Sequence, residues 1–481
     1  MKYFNMQFST YSQDKHLRSD AKYHKAMVGA GNNLFGTPVI DNVALSDILI
    51  EEYNSFDYDD CTEYKGIPTG QTYIDEDGYI TDWQSVTAED HPGRLKYAVS
   101  ADNLLISSIR LAKSPALNFD TLNLDEYVFS NGFYIFAIKS GWDKRFVLYL
   151  LRSKRIKGFI DNNIYRGIGI SAYRVEDLLK IEVRNLSIAE QEKALIKIRP
   201  FEQAIRTLKA QIKSPQSIID EVFAREFKFD FAKFNKLKTH MRFSIGLSAF
   251  ANNPDMRFST KFHRDAGAFV MEQLSAITNK RIKHYLAEPI VLGASVSPND
   301  YSDDGDYYYI SMATIKSWAF DPEGANLLKT AYVNSKQDKT IRKNDILLAR
   351  SGEGTIGKVA LIDDEDIQGV FADFTMRIRL AGYNPLFAYY YFRTTFFQYL
   401  VEVYKKGLGN NTNIFPIVIR EFPIPDISLE EQQYIVEEIR AEIDKQNNIK
   451  TQIIELRSKI DTIIENALTE KVYEQQEEKN D

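Results

Sequence analysis

The chain has 481 residues, 67 of them acidic against 60 basic, for a net charge of −7, and a single cysteine, Cys61. At ~150 residues per domain that length exceeds one ordinary core and points to about three units. One thiol excludes an internal disulfide framework and argues against a cysteine-based zinc centre, and no run reaches the ~18 apolar residues of a membrane span. Cysteine scarcity fits a reducing compartment, and MKYFNMQFSTYSQDK at the N-terminus has no apolar leader core. A cytoplasmic protein with no membrane partner is expected. The acidic balance counts against a chain that holds DNA phosphates unaided.

A long repeat runs through the sequence. SIAEQEKALIKI (187–198) and SLEEQQYIVEEI (428–439) stand 241 residues apart, as do FVLYLLRS (146–153) and FAYYYFRT (387–394). DNLLIS (102–107) and NDILLA (344–349) are 242 apart, and so are VFSNGFYIFAI (128–138) and VFADFTMRIRL (370–380). RSDAKYH (18–24) and RFSTKFH (257–263) are 239 apart. Chance matches would scatter. Five in order, at nearly one separation, predict two copies of one unit, each a globular part followed by a helix.

In chain order, residues 1–42 form an N-terminal extension containing a lone glycine-rich stretch, GAGNNLFG. A first globular domain spans 43–186, mixed α/β, with short β-rich runs such as YVFSNGFYIFAI between Gly, Asn and Asp turns. A helix follows over 187–228, opened by the capping-box pair Ser187 and Glu190. Its seam is Ala194, Ile198, Phe201, Ile205, Leu208, Ile212, Pro215, Ile219 and Val222, at steps of four and three, the heptad spacing of a coiled coil. Pro200 and Pro215 each remove a backbone donor and should kink it. Residues 229–281 read as a linker or extension of the second copy, with a helix over 265–280.

The second globular domain spans 282–426, with strands in GDYYYISMATI and VFADFTMRIRL and a helix over 385–404. Its helix, 427–475, opens with Ser428 and Glu431. The seam there is Ile435, Ile439, Glu442, Gln446, Ile449, Ile453, Leu456, Ile460, Ile463 and Ala467, and residues 476–481 are a tail. Glu442 and Gln446 are polar seam positions that fix register or face a partner protein. At 1.5 Å per residue, ~40 residues make a rod of about 60 Å. Helix one delivers the chain to the second domain and helix two starts there. The expected fold is therefore a tandem of duplicated α/β domains whose two helices form an antiparallel coiled coil.

Arg350, Ser351, Gly352, Gly354, Thr355, Gly357 and Lys358 make a glycine-rich loop after a strand. Gly352 to Lys358 has P-loop spacing, but Val359 stands where Mg²⁺ needs a hydroxyl, and VALIDDE reads as a strand, so nucleotide binding is disfavoured. The loop is either a hairpin turn with solvated charges or, the favoured reading, a DNA contact. Lys405, Lys406, Asn410, Asn411, Thr412 and Asn413 form a polar, basic turn. Asn reads adenine edges but also favours turns for their own sake, and the two readings weigh equally. The first copy offers Tyr165, Arg166 and Ser171 in the matching loop, with Arg110 and Lys113 beyond the position of Arg350. Gln71, Thr72 and Tyr73 lie in the turn-rich GIPTGQTYIDEDG. Lys316 and Trp318 could contact phosphate or stack, though a half-buried Trp is the commoner outcome. The acidic runs 51–60, 303–306 and 474–481 read as solvated faces or a frayed tail. His16, His24, His91, His240, His263 and His284 form no metal-ligand spacing.

A tandem of such domains, each followed by a helix opening S-x-x-E-Q, resembles the specificity subunit of type I restriction-modification enzymes. KNDILLARSGEGTIGKVALI (343–362) is similar to the loop–strand signature of their target-recognition domains, and GLGNNTNIFPIVIREFPIPDISLEEQQYIV (407–436) to the exit into the helix. The first copy, DNLLISSIRLAKSPAL, keeps the opening and loses the SGEGTIGK part. The resemblance covers residues 43–475. It implies two recognition domains that each read half of a bipartite, asymmetric double-stranded DNA site, with the helices setting the unread gap. It further implies docking of two DNA adenine methyltransferase subunits, joined by motor-nuclease restriction subunits. S-adenosylmethionine, ATP and Mg would sit on those partners, with no cofactor, metal or catalytic residue in this chain. No N/D-P-P-Y/F or F-x-G-x-G motif of a methyltransferase, no D…E-x-K nuclease pattern and no helicase motif pair occurs. The alternatives are the specificity subunit of a type II system with a fused methyltransferase-nuclease, and a coiled-coil scaffold without DNA function.

Overall fold

Short side chains that accept hydrogen bonds set where the helices of this chain begin, and the same device recurs in both halves. The computed structural model describes residues 41–70, 72–109, 123–161, 172–240, 244–248, 257, 259–352, 354–407 and 411–469. The chain divides into two units, one of Met1–Gln211 with Lys450–Asp481, the other of Ile212–Ile449.

The strands of unit one are β1 (Asn42–Ala44), β2 (Leu49–Glu51), β3 (Asn54–Ser55), β4 (Tyr64–Ile67), β5 (Gln84–Val86), β6 (Leu95–Ala98), β7 (Leu104–Ser107), β8 (Tyr127–Ser130), β9 (Phe133–Ile138) and β10 (Glu182–Arg184). Among the described residues they make a sheet ordered β3-β6-β8-β4-β5, a sheet ordered β2-β9-β7 and the pair β1-β10. The run YVFSNGFYIFAI is two strands, broken at Asn131 and Gly132. The central β4–β8 pair is parallel, with Ile67 opposite Phe129, and both side chains enter a core with Ile135 and Leu105.

Helix α1 (Lys144–Arg152) is capped by Asp143, whose carboxylate accepts from the amides of Arg145 and Phe146. Ser153 ends it and caps α2 (Lys154–Phe159). Helix α3 (Ile188–Lys209) starts on the expected capping box of Ser187 and Glu190 and contains Pro200. It buries Ala194, Leu195, Ile198 and Ile205, while Phe201 and Leu208 are half-buried.

In unit two, α4 (Pro215–Phe227), α5 (Phe231–Thr239) and α6 (Asp265–Ile277) precede the strands. These strands are β11 (Val291–Leu292), β12 (Tyr301–Ser302), β13 (Tyr307–Ile310), β14 (Asn326–Leu328), β15 (Ile346–Ala349), β16 (Val359–Leu361), β17 (Gly369–Phe371) and β18 (Thr375–Ile378). They form sheets ordered β11-β18-β15-β16 and β12-β14-β13-β17. Again one pair, β13–β17, is parallel, here at the sheet edge, with Ile310 opposite Phe371. Helices α7 (Pro385–Arg393) and α8 (Thr395–Tyr404) meet at Thr394, which ends one and caps the other. Asn384 caps α7 through the amides of Leu386 and Phe387. The core is aromatic: the Phe223 ring lies 5.3 Å from Phe387 and 6.0 Å from Tyr391. Full burial of each such side chain is worth ~1.5–3 kcal/mol.

Helix α9 (Leu429–Thr469) runs unbroken for 41 residues. It opens on Ser428 and Glu431, each bonded to the other's backbone amide or side chain. Its residues to 449 belong to unit two and those from 450 to unit one. Within unit two it buries Ile435, Val436, Ile439, Gln446 and Ile449, and within unit one Ile453, Ile460, Ile464 and Leu468.

Several expectations need correcting. The 187–228 segment is two helices, not one kinked rod: α3 ends at Lys209 and α4 begins at Pro215. Pro215 lacks the amide that a first-turn residue does not need, so it opens a helix. Ile212 falls in the break and is 39% exposed, whereas Ile219 is buried. Within 229–281, read as a linker or extension of the second copy, Phe234 of α5 and Phe269 and Val270 of α6 lie in the unit-two core. Near the end of α9 the buried stripe moves from Ile463 and Ala467 to Ile464 and Leu468, while Leu456 and Ile463 are half-buried. Steps of four there follow the 3.6-residue turn of a straight helix.

Candidate nucleic-acid interface

The turn after β15 and the loop after α8 stand about 60 positions apart in the sequence and lie side by side. Ser351 bridges Asn413, and Asn413 also bridges Lys406. The Ile414 amide donates to the Arg350 carbonyl at 2.9 Å, and the Ser351 hydroxyl donates to the Thr412 carbonyl at 3.1 Å. Two glycines make the approach possible. Gly357 has φ +85, and a Cβ there would meet Gln398 Oε1 at 2.6 Å. Gly407 has φ +111, and a Cβ would meet the Asn411 carbonyl at 2.2 Å. An L side chain at either site would add backbone strain to a clash.

Arg350 is held on three sides. Its Nε donates to the Asp373 carbonyl at 2.9 Å, its Nη1 to Asn413 Oδ1 at 3.3 Å, and its guanidinium lies 5.6 Å from the centre of the exposed Phe374 ring. Beside it lie half-buried Asn413 and exposed Lys406 and Asn411. This rim presents cationic and amide groups suited to phosphate oxygens and base edges.

Other expected contacts serve the frame instead. Ser351 and Thr412 are buried, and Thr355 returns its hydroxyl to the Ser351 carbonyl at 2.9 Å. Lys405 pairs with Glu402 at 2.7 Å. Lys358 is drawn away from the rim, its ammonium 3.9 Å from the Trp318 ring centre. Burial, and then the charge of Arg393, hold that ammonium below its ordinary pKa. Lys316 is exposed. Tyr73 packs against the unit-one core, and its hydroxyl accepts from Gln84 at 3.0 Å. Gln71, Arg110, Lys113, Arg166, Ser171 and Asn410 lie outside the described residues.

Two kinds of positioning residue escaped the sequence reading. The buried glutamine of each S-x-x-E-Q ties its helix to the globular part. Gln191 donates to the carbonyls of Leu186 and Gly141 and accepts from the Asp143 amide at 2.7 Å. Gln432 donates to the Ile427 carbonyl and accepts from the Asn384 amide at 2.8 Å. The second kind stands just before the loop strand. Asp345 is buried, accepts from the Arg342 amide and makes a bidentate pair with Arg379 at 2.6 and 2.7 Å. Its counterpart Asn103 accepts from the Ser100 amide at 2.8 Å. The visible signal was a polar residue opening an otherwise apolar strand.

Among the described residues no group of His, Cys, Asp and Glu could hold a metal ion, and no helix is long and apolar enough to cross a membrane.

Residues 290–457, which hold both loops, match the family described as the type I restriction modification DNA specificity domain. That segment is therefore similar to the DNA specificity domain of type I restriction-modification systems. No curated protein matches the sequence. Solved structures similar to it include a chain from work on complex assembly and conformational transition of the type I R-M system, 15% identical, with a TM-score of 0.48 over 89% of this chain and 97% of that one. The HsdS subunit from Thermoanaerobacter tengcongensis is 14% identical, with a TM-score of 0.34 over 89% and 96%. The type I S subunit from M. genitalium is 11% identical, with a TM-score of 0.38 over 89% and 95%.

Proposed function

We propose that this chain is a type I specificity subunit that reads a bipartite, asymmetric double-stranded DNA site through two copies of one recognition unit and does no chemistry itself. The observation that carries the reading is the meeting of the 350–358 and 405–414 segments, which sets Arg350, Lys406 and Asn413 on one rim. The duplication draws support from matched bonds: Gln191 on the cap residue Asp143, and Gln432 on the cap residue Asn384.

Helices α3 and α9 act in this reading as an antiparallel coiled coil that sets the unread gap. Within unit one, Arg184, just before α3, donates to the Ala467 carbonyl, while Lys209, at its far end, shares Asp77 with Arg457. Within unit two, the Lys213 amide meets Gln446 at 2.9 Å and Arg225 meets Glu438. Both sets of contacts suit opposed chain directions. Two readers at fixed separation call for two half-sites at fixed spacing. Exposed apolar residues on the helices, Ile188, Ile196, Leu429, Tyr434 and Ile454, suit docking of two DNA adenine methyltransferase subunits. Those partners and the motor-nuclease subunits would carry S-adenosylmethionine, ATP and Mg, all in the cytoplasm, and would share the phosphate contacts that a chain of charge −7 supplies sparingly.

Mapping methylated adenines genome-wide, in cells with the adjacent methyltransferase and with or without this gene, tests the reading. Methylation at one bipartite motif should appear only with the gene. An unchanged pattern overturns it. Tight sequence-specific binding by the lone chain in an anisotropy assay would refute the shared-contact part.

A further inference from the structure

Unit two contains a cleft of about 560 Å³ that the recognition rim does not use. Five cations line it, Lys238, Lys261, Arg264, Lys358 and Arg393, against one carboxylate, Glu402. That carboxylate is already engaged, by Lys261 at 2.8 Å and Lys405 at 2.7 Å. Burial pushes Glu402 up, but those two hydrogen-bonded lysines outweigh it and hold the carboxyl below its usual range. Asp220, bonded to the cleft residue Thr395, is a second carboxylate, whose charge reaches Arg393.

Arg393 is only 9% exposed. Its Nη1 donates to the Tyr389 hydroxyl at 2.8 Å, while its Nε is buried with no hydrogen-bond partner among the described residues. Arg264 gives Nη1 to the Lys238 carbonyl at 2.9 Å, and its Nε is likewise buried and unpaired. Trp318 forms a wall, with the Lys358 ammonium 3.9 Å and the Arg393 guanidinium 5.3 Å from its ring centre. Buried donors and crowded like charges are costly unless an anion answers them.

Unit one shows how such a place is neutralised from within. There the turn after β4 sets Asp77 against Arg152, the last arginine of α1. In unit two the turn after β13 sets Trp318 against Arg393, the last arginine of α7. The arginine stays, and an indole replaces the carboxylate.

We propose that this cleft binds an oxyanion of the phosphate class, held by Lys358, Arg264 and Arg393. Charge-assisted bonds from two guanidinium groups and one ammonium suit a tetrahedral anion. The phosphate could arrive free or as a DNA phosphodiester, and the free ion serves as the probe, so the proposal does not depend on the DNA-reading role.

The test is thermal unfolding of the full chain in sodium phosphate against sodium chloride at equal ionic strength. Phosphate should raise the melting temperature saturably. Lys358→Gln and Arg264→Gln, both at the cleft surface, should each raise the half-saturating concentration by about ten-fold, the loss of one charged hydrogen bond, with unchanged circular dichroism. No phosphate-specific rise, or variants that respond as the parent does, overturns the proposal. A non-specific duplex that competes with phosphate assigns the site to the phosphodiester. A duplex that leaves the phosphate response intact assigns it to the free anion.

Discussion

Replacing Asp77 with Asn isolates the ion cluster that ties the turn between β4 and β5 to α1, α3 and α9. Asp77 is 6% exposed. It accepts from Arg457 Nε at 2.8 Å and Nη2 at 2.6 Å, from Arg152 Nη2 at 3.3 Å, and pairs with Lys209. Burial pushes its carboxyl up, but the hydrogen bonds of Arg457 and Lys209 win and hold it at about 2, from an ordinary 3.8. A depressed acid contributes stability that is fully present above the unfolded pKa and lost as pH falls through the folded one. The shift corresponds to about 2 kcal/mol at neutral pH. Asn keeps the shape and removes the charge, leaving three cations around a neutral amide. Unpairing a buried ion costs ~3–5 kcal/mol, but Arg457 and Lys209 are each about a quarter exposed and keep second partners in Glu76 and Asp75. Solvent screening then places Asp77→Asn at about 2–3 kcal/mol. Amide exchange of α3 in the full chain is the assay, because two units need not unfold as one. The difference from the parent should narrow to about half at pH 3. A difference under about 0.5 kcal/mol at pH 7, or one that does not change between pH 7 and 3, refutes the reasoning.

Gln432→Ala orphans the Asn384 amide and the Ile427 carbonyl and should cost about 2–3 kcal/mol, read as lost exchange protection in α7; Gln191→Ala should do the same to α1. Arg350→Ala should weaken binding of the assembled complex to its cognate site by ~1–3 kcal/mol and relax preference at one half-site only, with the melting temperature unchanged; equal losses at both half-sites would contradict the assignment. Four residues inserted within α3, between Ile205 and Lys209, about one helical turn, should lengthen the unread gap and leave both half-sites as they were, which methylation mapping reports directly.

Features set by neighbours three or four residues apart were legible before the fold. The capping boxes at Ser187 and Ser428 are examples, since a side chain reaching its own third amide needs no tertiary help. The glycine-rich loop after β15 was legible for the same reason. The role of Lys358 was not: its ammonium is drawn to Trp318, 40 positions away, and only packing brings that ring to it. Heptad spacing continued across 210–214 as a pattern of letters, yet α3 ends at Lys209 and a new helix opens on Ser214, whose hydroxyl accepts from the Ser217 amide, with Pro215 in its first turn.

By itself, then, the sequence determined the repeat in its letters, the helix starts and the two basic loops, all features of local chemistry and spacing. Tertiary structure alone decided that those loops share one rim, that the glutamine of each S-x-x-E-Q caps a globular part, and that Asp77 meets Arg457 from 380 positions away. Hydrogen bonds and ion pairs over such separations leave no period in the sequence, and they exist only once the core has brought their partners together.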